Sequence, residues 1–154
     1  MCQKRFPDGR WNAMFMGQYN YTVDAKGRVF VPSRFREALG DRFVATMGLD
    51  GCLFLYPNEQ WEKFAEQLRT LPGTKEARQL QRYFFAGAAE LEMDKQGRIL
   101  LPANLRERAA LERDVIFVGV LDKIELWSEE RWKSNTLEDM DEAAEKMAQQ
   151  GLAF

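Results

Sequence analysis

The sequence predicts an α+β fold made by tandem duplication, in which two β-α-β units close one barrel-like core with helices on its flanks. Three observations carry that prediction. The first is a repeated decapeptide: residues 23–32 read VDAKGRVFVP and residues 93–102 read MDKQGRILLP. The second is that the likeness runs on. Phe35/Leu105, Arg36/Arg106 and Glu37/Glu107 keep the offset of the decapeptides, and after one inserted residue Gly48/Gly119, Leu53/Ile124, Leu55/Leu126, Tyr56/Trp127 and Trp61/Trp132 correspond. The third is that one unit offers a few short strands with open edges and a small apolar face, which is marginal alone. Two units sharing a core resolve that, and a duplicated sequence then implies pseudo-twofold symmetry.

The elements follow from local chemistry. Residues 18–23 and 28–31 alternate as strands around the turn Asp24-Ala25-Lys26-Gly27. Aspartate at the first position and glycine at the fourth fit a type I turn with a glycine bulge. Pro32 ends the strand and suits a helix start, and Phe35, Ala38 and Leu39 follow at helical spacing. Residues 43–48 and 52–56 read as a hairpin around Leu49-Asp50-Gly51. Trp61, Phe64, Ala65 and Leu68 form an apolar helical stripe. Leu71-Pro72-Gly73 breaks the chain, and Thr74 caps a helix whose Ala77, Leu80, Tyr83 and Phe84 share a face opposite Lys75, Arg78 and Arg82. The second unit repeats the plan with strands over 89–93 and 98–101, a helix over 103–110, and strands over 115–120 and 123–127. Ser128 caps the next helix, Thr136 with Asp139 resembles a capping box, and a last acidic helix stops at Gly151. The organisation read from this is an N-terminal extension (1–13), repeat 1 (14–70), a connecting helix (71–87), repeat 2 (88–135) and an acidic helical segment (136–154).

Composition narrows the function. The chain has 154 residues, 45% apolar and 30% charged, enough for a real core under a soluble surface. It has no histidine, which removes imidazole acid–base catalysis, Ser–His and Cys–His nucleophiles and imidazole metal sites. No P-loop, dinucleotide fingerprint or metal-ligand cluster is present, so no enzyme, cofactor, metal or small-molecule substrate is expected. Cys2 and Cys52 make no disulfide framework and fit a reducing cytoplasm. No apolar run approaches the roughly 18 residues of a membrane span, and the opening MCQKRFPDGRWNA lacks a hydrophobic signal segment. The net charge is −2, but residues 1–46 carry eight cations and four anions, net +4, which leaves −6 for the remainder. A partner touching one face meets that distribution rather than the sum.

The pair VDAKGRVFVPSRFREAL and MDKQGRILLPANLRERA, with MFMGQYNYTVD ahead and GAAELEMD between, resembles the MraZ family across residues 14–135. This is a family of bacterial transcriptional regulators related to AbrB and SpoVT. Its Asp-x-x-x-Arg signature is matched twice, by Asp24/Arg28 and Asp94/Arg98. The resemblance implies an AbrB-like swapped-hairpin barrel and sequence-specific binding of double-stranded promoter DNA at short direct repeats. The regulated region would be the division and cell-wall gene cluster. It also implies a homo-oligomeric ring of eight or twelve subunits and a cytoplasmic, nucleoid-associated location. Arg28 and Arg98 are then the readers, because a planar guanidinium donates two parallel bonds to guanine or phosphate. Lys26 and Lys95 in the same turns add phosphate contacts, which set register rather than sequence. Arg34 and Arg36 lie behind the first turn and Arg106 and Arg108 behind the second, with Asn104 where the first copy has Arg34. Asp24, Gly27, Asp94 and Gly97 brace the turns.

Two other classes compete with this reading. Paired aspartates invite a protease reading, but each is followed within four residues by lysine or arginine, and the Asp-Thr/Ser-Gly pattern is absent. An AbrB-type antitoxin or interaction scaffold, using the acidic C-terminal helix to hold a partner, is the alternative. It gives no reason for arginine in both turns.

Overall fold

The computed structural model describes residues 15–135 and 140–154; the expectations for residues 1–13 and for the Thr136/Asp139 cap lie outside them. The first half supplies β1 (Phe15–Thr22), β2 (Arg28–Phe30), α1 (Ser33–Leu39), β3 (Arg42–Met47), β4 (Leu53–Pro57) and α2 (Asn58–Arg69). Helix α3 (Lys75–Ala86) leads into β5 (Ala89–Glu92), β6 (Arg98–Leu100), α4 (Ala103–Arg108), β7 (Asp114–Leu121), β8 (Ile124–Ser128) and α5 (Glu129–Asn135), and α6 (Met140–Gln149) follows.

Strand pairing crosses between the halves. The large antiparallel sheet has the order β1-β7-β8-β4-β3-β5, and a second sheet pairs β2 with β6. Strand β1 of the first half lies along β7 of the second, from Phe15↔Leu121 to Thr22↔Asp114. Strand β5 of the second half lies along β3 of the first, from Arg42↔Glu92 to Ala45↔Ala89. Each half therefore completes the other's sheet, and neither edge strand is paired within its own repeat.

Period-two alternation explains why the central strands read as unbroken apolar runs. In β4, Leu53 and Leu55 face the main core, whereas Phe54 and Tyr56 face a second cluster with Leu68 of α2, Phe84 of α3 and Trp127. The main core gathers Phe43, Phe117 and Leu126 from the large sheet, Val29 and Ile99 from β2 and β6, and Phe35, Leu39 and Leu105 from α1 and α4. Buried Thr46 donates its hydroxyl to the Phe84 carbonyl at 2.7 Å and ties β3 to α3. Both expected caps form, as Thr74 Oγ1 accepts from Ala77 N and Ser128 Oγ from Arg131 N.

Several boundaries differ from the sequence expectation. Val31 and Leu101 stand just outside their strands: each keeps one bond of the same ladder, Val31 N to the Gly97 carbonyl and Leu101 N to the Gly27 carbonyl, both at 2.9 Å, and Pro32 and Pro102, which have no amide hydrogen, follow. Helix α4 stops at Arg108, since Ala110 takes a left-handed φ of 54°. Leu80, expected on the buried face of α3, is 43% exposed. No helix among the described residues is long and apolar enough to cross a membrane.

Candidate nucleic-acid interface

The two repeated turns have one geometry. Asp24 Oδ1 accepts from the amides of Lys26 and Arg28 at 2.9 Å each, and Oδ2 accepts from Arg28 Nε at 2.8 Å. In the second copy Asp94 accepts from the amides of Gln96 and Arg98 and from Arg98 Nε, all at 2.9 Å. The Gly27 and Gly97 amides close the turns onto the Asp24 and Asp94 carbonyls. Their φ angles of 86° and 84° are left-handed, a conformation open to glycine and costly for other residues. The aspartate thus serves twice, fixing the turn backbone and clamping the arginine through Nε.

Those bonds hold both carboxyls below the ordinary aspartate range, chiefly through the Arg28 amide for Asp24 and the Arg98 amide for Asp94, with the guanidinium bonds adding to it. A carboxyl depressed in the folded state stabilises at every pH above its unfolded value of about 3.9, and that support fades as pH falls through the folded value. The turns are therefore expected to be unaffected from pH 8 down to roughly 4 and to loosen below it. Amide NMR shifts of Lys26 and Arg28 followed through an acid titration check this, and Asp24→Asn should abolish the step at the first turn.

Beyond each turn the chain enters β2 or β6, which pair as Arg28↔Leu100, Val29↔Ile99 and Phe30↔Arg98. Val29 and Ile99 point into the core. By alternation Arg28, Phe30, Arg98 and Leu100 share the outer face, where Phe30 is 41% and Leu100 60% exposed. The two arginines are diagonal neighbours on one ribbon, positions about 7–8 Å apart in ordinary sheet geometry. The Arg98 guanidinium carbon lies 5.9 Å from the Phe30 ring centroid. The Arg28 and Arg98 side chains are 31% and 23% exposed, clamped at the surface rather than buried in the core.

Two of the arginines expected behind their own turns, Arg36 and Arg106, lie instead at the turn of the opposite repeat. Arg36 lies against Gly97 of the second turn, and Arg106 against Gly27 of the first. Arg36 Nε donates to the Val31 carbonyl at 2.8 Å, and Arg106 Nε to the Leu101 carbonyl at 3.1 Å. Both are half-buried and lie over the glycine of the opposite repeat's turn. Lys26, Lys95, Arg34 and Arg108 are exposed. Arg131, which the sequence did not single out, donates from one nitrogen to the carbonyls of Gly51 and Arg108 at 2.9 Å each. Phe30 and Leu100 were also missed, because strands of three residues carry too few alternations to assign them a face. Among the described residues no group of three or more His, Cys, Asp or Glu could hold a metal ion.

This site lies within a chain that the family model described as "MraZ protein, putative antitoxin-like" matches twice, over residues 14–83 and 84–152. The chain is 65% identical over 141 residues to the transcriptional regulator MraZ of Lachnoclostridium phytofermentans, covering 92% of this chain and all of the relative. It is 54% identical to the protein of the same name in Heliobacterium modesticaldum, over 87% of this chain and 96% of that one. It is 56% identical to that of Thermoanaerobacter pseudethanolicus at the same two coverages. With two consecutive family matches and relatives aligned along nearly their whole length, the chain belongs to the MraZ family.

Proposed function

We propose that this protein is a transcription regulator that binds double-stranded promoter DNA through the outer face of the β2–β6 ribbon. The observation that carries the reading is the convergence of Arg28 and Arg98, one from each repeat, on one exposed ribbon face. A two-stranded ribbon fits the major groove, where a guanidinium pairs with guanine O6 and N7. Asp24 and Asp94 engage Nε and so orient each planar group before DNA arrives, which lowers the ordering cost of binding. Lys26 and Lys95 at the turns and the exposed Arg34 of α1 meet phosphates, and Arg36 and Arg106 act indirectly by holding the turns.

The crossed strand pairing supports closure as a swapped-hairpin barrel of two AbrB-like repeats. One ribbon reaches few bases, so the reading includes a ring of eight or twelve copies on short direct repeats, where linked sites gain avidity. The genes controlled would be the division and cell-wall cluster, and the protein would be found at the nucleoid.

A salt titration tests this on the chain's own upstream DNA. Neutralising about three phosphates per protomer gives a log–log slope near −2.7, or roughly a 40-fold loss of affinity between 50 and 200 mM salt. Steeper loss is expected where several protomers engage one fragment. Binding that ignores salt, or fails to distinguish promoter from scrambled DNA, overturns the proposal.

A further inference from the structure

We propose that helix α6 of one copy of this chain docks into the apolar groove between α2, α3 and the β7–β8 turn of a second copy. The groove is open, with a volume of about 620 Å³. Phe54, Phe64, Leu68 and Phe84 line it, and Leu71 and Leu80 stand at its exposed rim. Lys63, Lys123 and Asp122 border it; Lys123 Nζ lies 3.7 Å from Asp122 Oδ1 and 5.0 Å from the Phe54 ring centroid.

Helix α6 is the complementary surface. Met140, Ala144 and Met147 fall at i, i+4 and i+7 on one face, and Leu152 and Phe154 extend the apolar character beyond the helix. No residue of α6 is buried, and Met140, Met147, Leu152 and Phe154 are all exposed. Asp141 and Glu145, one turn apart, run along one border of that face, while Glu142 on the far side pairs with Lys146 at 3.3 Å. An apolar stripe edged by Asp141 and Glu145 matches an apolar groove whose border, Lys63 with the Lys123–Asp122 pair, carries a net positive charge. Methionine suits such a contact because its flexible thioether fills irregular gaps. Within one chain the helix leaves its apolar face in water while the groove stands open, so both surfaces are covered when copies exchange helices. The inference goes beyond the DNA reading, because neither surface includes the β2–β6 ribbon.

Cysteine cross-linking of the full chain in a Cys2→Ser background tests it. Cys52 is buried, and burial pushes its thiol up to about 12, so it stays unreactive. Mixing a Met147→Cys chain with a Leu80→Cys chain under mild oxidation should give a covalent pair, and neither chain alone should give it efficiently. Met147→Asp, at an exposed position, should weaken self-association roughly tenfold or more in sedimentation while leaving the melting temperature of the dilute, dissociated chain unchanged. Absence of the cross-link in a sample that still sediments as an oligomer overturns this interface and leaves the self-association of the DNA reading intact. A chain that sediments as a single protomer at all concentrations overturns both. Cross-linking within one chain carrying Met147→Cys and Leu80→Cys, persisting at high dilution, would place the helix in its own groove and also overturns it.

Discussion

Gly97→Val is expected to destabilise the protein by about 3 kcal/mol or more, and Gly27→Val by a similar amount. Two costs add. A left-handed backbone costs an L-residue about 1–2 kcal/mol, more for a β-branched one. The new side chain also meets the guanidinium of the opposite repeat's arginine, Arg36 at Gly97 and Arg106 at Gly27. Displacing Arg36 breaks its 2.8 Å bond to the Val31 carbonyl, a charge-assisted bond worth roughly 1.5–3 kcal/mol. For a domain of this size the sum corresponds to a melting temperature about 6–12 °C lower. Gly73→Ala is the control, since a Cβ there meets nothing within 4 Å. Equal melting temperatures for Gly97→Val and Gly73→Ala would show that the crossed brace contributes nothing.

Arg28→Ala combined with Arg98→Ala is expected to abolish discrimination of promoter from scrambled DNA while the fold persists. A bidentate arginine–guanine pair contributes about 1–3 kcal/mol of discrimination, so each substitution should cost roughly 5- to 150-fold at one site. The loss compounds where several protomers share a fragment. Each side chain lies at the surface and its Nε bonds only the aspartate of its own turn, so the melting temperature should change little. Lys26→Ala and Lys95→Ala should act differently, weakening promoter and scrambled DNA alike and flattening the salt slope by about 0.9 for each phosphate no longer neutralised. Gel shifts on the two DNAs at two salt concentrations separate these behaviours.

The turns were legible in the sequence because their chemistry is local. Aspartate, glycine and arginine at fixed spacing specify the Oδ1 bonds to two amides, the left-handed glycine and the clamp on Nε, all within five residues. The Thr74 and Ser128 caps were legible for the same reason. The packing that joins the repeats was not. Arg36 follows Gly27 in the chain yet packs on Gly97, because the amides of Val31 and Leu101 each reach the other repeat's turn. An approach made across some sixty residues leaves no mark in local spacing. The ribbon face was hidden by length, since strands of three residues show too few alternations to reveal a side. Leu80 follows the helical period of α3 but emerges at the rim of an open groove, which no periodicity reports.

The central claim is that Arg28 and Arg98 touch bases from one ribbon face. It is tested most directly by replacing guanines in the promoter repeats one at a time with 7-deazaguanine, which removes the N7 acceptor, and measuring affinity for the unsubstituted protein and the arginine variants. The expected result is that replacing a few of the guanines weakens binding by the unsubstituted protein, and that the same replacements cost nothing further once the arginine facing them is alanine. Full affinity in the double variant, or the same pattern of sensitive guanines with and without both arginines, would contradict it.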